Sequence, residues 1–91
     1  MALYAIAFDV HNQQNQVSIA AKLRKLGAVC TLESFWLLNS GNTTAQLRDE
    51  LQTSIEYNDS LVIVELKAGA HWASRNAAEA GLDWMKRNLS P

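Results

Sequence analysis

The sequence predicts an α+β domain, and three observations predict it. Two short β-rich apolar runs, Leu3–Val10 and Ser60–Leu66, stand far apart in the chain. Between them, apolar residues recur at helical spacing in two segments: Ile19, Leu23 and Leu26, then Leu47, Leu51 and Ile55. A third β-rich segment, Ala28–Asn39, separates the two helical ones.

Leu3–Val10 is almost unbroken apolar chain ending in Asp9 and Val10, and reads as a strand. His11–Asn15 is a polar loop, and Gln16–Leu26 is an amphipathic helix. Gly27 stops that helix, because glycine takes the left-handed conformation at little cost. Ala28–Asn39 is either one bent strand or two strands joined by a tight turn, and Ser40-Gly41-Asn42 is a turn. Thr43 and Gln46 have capping-box spacing, so a second helix starts there. Tyr57-Asn58-Asp59 ends it, and Ser60–Leu66 is the last strand of the core.

If the middle segment is two strands, the order is βαββαβ, the ferredoxin-like plan with an antiparallel sheet. The expected core spans residues 2–67 of a single domain 1–91, with a C-terminal tail over 70–90. In that tail Leu82, Met85 and Leu89 predict an extra helix ending near Asn88. Gly81 argues against an early start for it, since internal glycine costs about 1 kcal/mol relative to alanine. Trp72 and Trp84 are expected to pack on the body of the domain. Trp72 as a base-stacking platform is the weaker alternative.

Alternation assigns the sheet faces. In the first strand Tyr4, Ile6, Phe8 and Val10 point one way, and Leu3, Ala5, Ala7 and Asp9 the other. The large set suits a helix-packed core. The small set suits close approach of another layer, with Asp9 at its rim. Val62, Val64 and Leu66 oppose Leu61, Ile63 and Glu65 in the last strand. Neither strand has a clean polar face, so something covers the second face of the sheet: the tail or a second copy of the chain.

Composition bounds the function. Ninety-one residues make one small domain. With 48% apolar residues the chain is not disordered. Eight Lys plus Arg balance nine Asp plus Glu, which argues against strong electrostatic capture of nucleic acid. The one cysteine, Cys30, reads as a small buried residue, and no zinc spacing accompanies it. No glycine-rich phosphate loop is present. No targeting or membrane-spanning segment is visible, so the cytoplasm is the default compartment.

Several segments together resemble a known family: AFDV at the end of the first strand, KLRKLG closing the first helix, LESFWLL, TTAQLRDELQTSI and DSLVIVEL. This ordered set is similar to the CRISPR-associated Cas-two-like proteins and the related VapD-type ribonucleases. The resemblance implies a ferredoxin-like fold, homodimers formed by sheet-to-sheet packing, and a place in antiviral defence. It implies either a Mg²⁺-dependent endonuclease acting on RNA or double-stranded DNA, or a non-catalytic dimeric scaffold that binds nucleic acid or a partner protein. The family's metal-binding aspartate falls on Asp9, and its Ser-x-Phe falls loosely on Ser34 and Trp36. The chain departs from the pattern after the first helix, where Ala28-Val29-Cys30-Thr31 stands in place of basic residues.

Asp9 therefore has two readings. It caps the following loop by accepting backbone N–H bonds, or it is a catalytic carboxylate ligand for Mg²⁺. A two-fold dimer would bring two such groups towards one cleft. His11 is a candidate general base. His71 has no evident partner. Glu33 and Ser34 are read as mid-strand, with Glu33 facing either water or a dimer cleft. Asp49-Glu50 and Arg24-Lys25 read as solvated helix faces.

Overall fold

The computed structural model describes residues 1–90 of the chain. The order is β1 (Ala2–Asp9), α1 (Gln13–Leu26), β2 (Val29–Leu32), β3 (Phe35–Ser40), α2 (Thr44–Leu51), a 3-10 turn (Gln52–Ser54), β4 (Ser60–Leu66) and α3 (Glu79–Asn88). It is an α+β domain with one four-stranded antiparallel sheet in the order β2-β3-β1-β4. No helix among the described residues is long and apolar enough to cross a membrane.

Local chemistry sets the helix ends. Gly27 closes α1 at φ 92°, and its N–H donates to the Arg24 and Leu23 carbonyls. Thr43 and Gln46 form both bonds of the capping box that opens α2. Three boundaries differ from expectation. α1 begins at Gln13, because Asn12 accepts the Asn15 N–H and caps the helix three residues earlier than the apolar pattern suggests. α2 tightens into the 3-10 turn after Leu51, so it ends before Tyr57. The middle segment is two strands, and Glu33 and Ser34 form the exposed turn between them rather than sitting mid-strand.

One face of the sheet is closed by α1 and α2. Tyr4, Ile6, Phe8, Trp36 and Leu38 meet Ile19, Leu23, Leu47 and Leu51 there, all buried. Arg24 lies over the Trp36 ring at 5.3 Å, so one charge of the expected solvated helix face serves as a lid on this core. Cys30 is half-buried at the same cluster.

The other face is closed only in part, by α3. Trp84, Met85 and Leu89 pack on Ala5 and Leu37, with Trp72 at the margin. Two backbone bonds pin the tail: Ala78 N–H to the Thr31 carbonyl at 2.9 Å, and Gly69 N–H to the Leu89 carbonyl at 2.8 Å. Gly81 is the point of closest approach. A β-carbon there would lie 2.7 Å from the Thr31 β-carbon, so only glycine lets the helix sit this near β2. The helix therefore occupies the β2–β3 side of the face on which sheet-to-sheet pairing was expected. On the β4 side Val62 and Val64 stay exposed.

Candidate functional site at the Asp9 end of the sheet

β1 ends at Asp9, and Asp9 pairs in register with Ser60, the first residue of β4. Asp59 and the loop Val10–Asn12 meet at this end. The Asp59 carboxylate takes four hydrogen bonds. One oxygen accepts from the His11 backbone N–H at 3.0 Å and faces His11 Nδ1 at 2.8 Å. The other accepts from Asn15 Nδ2 at 3.0 Å and from the Glu56 N–H at 2.8 Å. The side chain of Asp59 is 1% exposed, while that of His11 is 53% exposed. Asn12 adds a bond to Glu56 at 3.3 Å.

This geometry moves two titrations. The Glu56 N–H, then the His11 and Asn15 side chains, hold the Asp59 carboxyl down at about 2 against the opposing effect of desolvation. The bond to Asp59 raises His11 above its ordinary value, aided by the fields of Asp9, Asp59 and Glu56. Asp59 also fixes the ring: a carboxylate facing Nδ1 keeps the proton there, so Nε2 is the free acceptor of the neutral imidazole.

Asp9 is exposed, and among the described residues no hydrogen bond reaches its carboxylate. The expected capping role belongs to Asp59 and Asn12 instead. A shallow cavity of about 220 Å³ lined by Ala7, Phe8, Asp9, Ser60, Leu61 and Val62 lies beside it. Among the described residues no three His, Cys, Asp or Glu side chains converge on one point that would hold a metal.

The other candidates lie elsewhere. Trp36 is buried in the first core cluster, and its Nε1 donates to the Glu33 carbonyl at 3.1 Å. His71 is exposed beside Trp72 in the tail. Cys30 stands apart from the Asp9 end, in β2 at the far edge of the sheet. Sequence reasoning missed Asp59, which reads as a helix-breaking turn residue; its partners His11 and Asn15 lie 48 and 44 residues away. The Asn- and Gln-rich loop was the one available signal, since its amides supply the cap and the clasp.

No family model matches the chain.

Proposed function

We propose that the Asp9 end of the sheet is a phosphodiester-hydrolysing site of Cas-two-like type, acting on RNA or double-stranded DNA, in a ferredoxin-like fold. The strand order and the placement of α1 and α2 on one face support the ferredoxin-like plan. The observation that carries the functional reading is the pair Asp59–His11 beside an unengaged Asp9. A histidine whose Nδ1 is held by a buried carboxylate is an oriented general base.

In the neutral ring, His11 Nε2 takes a proton from the attacking water as its oxygen bonds to phosphorus. The Nδ1 proton stays on His11, and Asp59 stabilises the imidazolium that forms. The leaving oxygen then takes a proton from the imidazolium or from solvent. Asp9, Asp59 and Glu56 all act on His11 through their negative charge, so this end is acidic and repels a phosphate on its own. Mg²⁺ binds through one or two protein carboxylates and fills its shell with water and phosphate oxygens. Asp9 offers one such carboxylate and Asp59, already engaged, does not. When bound there, the ion would offset phosphate charge and acidify bound water.

The test compares wild type, Asp9→Asn and His11→Gln on a panel of RNA and DNA, with and without EDTA. Cleavage by the wild type is expected to disappear with Asp9→Asn and with EDTA. His11→Gln should lower the rate about 10²- to 10⁴-fold. The wild-type rate should rise with pH through the raised pKa of His11. Equal activity of Asp9→Asn and wild type would remove Asp9 from the mechanism.

A second reading is a non-catalytic scaffold that binds nucleic acid or a partner protein. The balanced charge of the chain and the acidic surroundings of His11 favour it. Wild-type inactivity on every substrate would leave this reading in place.

A further inference from the structure

The uncovered side of the second face runs into an unpaired strand edge. Among the described residues, β4 has β1 on one side and no strand on the other. Its seven residues, SLVIVEL, contain no proline or glycine, and its register with β1 runs without a shift. Edge strands are normally protected by proline, a bulge, a covering element or well-placed charge. Here the side chains on the second face include Val62, 58% exposed, and Val64, 50% exposed. The charges, Glu65 and Lys67, sit together at the C-terminal end and pair with each other at 3.1 Å.

We infer that β4 pairs antiparallel with β4 of a second copy of this chain, about a two-fold axis at Ile63. The side-chain pattern selects both the occupant and the register. With Ile63 opposite itself, Val62 faces the partner's Val64 and Val64 faces the partner's Val62. The two exposed valines of each copy thus cover those of the other. Glu65 then stands opposite the partner's Leu61, and no like charges face each other. An axis at Glu65 would set that carboxylate against itself. An axis at Val62 would set Glu65 against the partner's Asp59. Directly opposed like charges destabilise a strand pair. An axis at Val64 would spend Val62 on the partner's Leu66, whose side chain already packs in the second core cluster. A pattern that matches its own reverse is what an isologous interface requires. The free N–H and C=O groups of the edge are paired at the same time, and the two sheets join into one.

The geometry has a consequence for the Asp9 ends. Ser60 stands opposite the partner's Leu66, so the two Asp9 residues lie at opposite ends of the paired strands. Each site then works within its own protomer, and the two aspartates do not share a groove.

The experiment measures mass by sedimentation and light scattering on the full chain from ~1 to ~100 µM, a range that brackets micromolar affinity. Wild type is expected to be dimeric. Val62→Lys and Val64→Lys should each weaken the dimer roughly ten- to a hundredfold. The double variant Val62→Lys/Val64→Glu places each lysine opposite a glutamate, and should recover most of the lost affinity. Both valines are exposed, so these variants should melt like wild type at the dilution where wild type is itself monomeric. If a variant melts early, Val62→Thr/Val64→Thr, which keeps the β-branched shape, replaces it and should also weaken the dimer. A monomeric wild type across the range would overturn the proposal. So would a dimer indifferent to these valines. A double variant as weak as the single ones would overturn the register.

Discussion

The two faces of the sheet are closed by different means. On the first, long side chains from β1 and β3 fill the space under α1 and α2, and Ile6 and Leu38 among them are fully buried. On the second, β1 offers Leu3, Ala5 and Ala7, and α3 comes close to β2 because Gly81 lacks a side chain. The first face is held by bulk alone, whereas the second also needs a close fit at Gly81. The first carries two helices packed over β1 and β3. The second leaves the β4 side uncovered, and there the open edge, Val62 and Val64 lie together.

Substitutions in the first face should give the largest losses of stability. Leu23→Ala and Leu47→Ala each remove a fully buried side chain from the centre of the α1–α2 layer. Each should cost about 2–5 kcal/mol of unfolding free energy, read from urea titration. A loss below about 1 kcal/mol at both positions would show that this layer can collapse around a cavity, and the contrast would fail.

A smaller effect belongs to the second face. Gly81→Ala adds a methyl group where Thr31 leaves no space. The helix itself gains about 1 kcal/mol from alanine, but overpacking costs about 1–3 kcal/mol. The net expectation is a modest loss, seen first in Trp84 fluorescence as α3 lifts from the sheet. Thr31→Ala should restore docking in the Gly81→Ala background, a coupling that a double-mutant cycle measures. If Gly81→Ala stabilises the protein without Thr31→Ala, close approach is not what holds α3.

The different means of closure also explain what was legible in the sequence. Alternation in β1 and β4, the capping box at Thr43 and the stop at Gly27 are local signals, and each describes what its own residues do. Tyr4, Ile6 and Phe8 stood out as the core-facing set for the same reason. Gly81 was visible only as a weak point in a helix, because the space it creates belongs to Thr31, 50 positions earlier. The extra helix was expected, yet which side of the face it covers depends on that contact. Asp9 was legible as a strand-end carboxylate. Its neighbour Asp59 was not, since a buried aspartate is made by donors that converge only after folding. The start of α1 was misplaced because Asn12 carries the signal in its side chain rather than in an apolar period.

The smallest effect concerns the sheet end, which belongs to neither face. Asp59 ties the β1–α1 loop to the start of β4, and its stabilisation depends on charge. The Asp59 pKa falls from 3.8 to about 2 on folding, so its contribution is present above the unfolded value and lost as pH falls through that interval. The His11 pKa is raised from 6.5, so its contribution is complete below 6.5 and lost as pH rises through the raised value. The clasp is therefore strongest between about pH 4 and 6.5. Asp59→Asn keeps the size and some of the acceptor bonds but removes the charge. The informative quantity is the difference in urea midpoint between wild type and Asp59→Asn across pH, because other carboxylates titrate in both proteins and cancel. That difference should form a plateau between those limits and fall away on both sides. A fall on the acid side alone would mean that His11 contributes through its backbone N–H and not its ring, and would weaken its assignment as an oriented base. A difference that stays constant with pH would show that Asp59 acts through neutral hydrogen bonding, and the charged clasp would have to be abandoned.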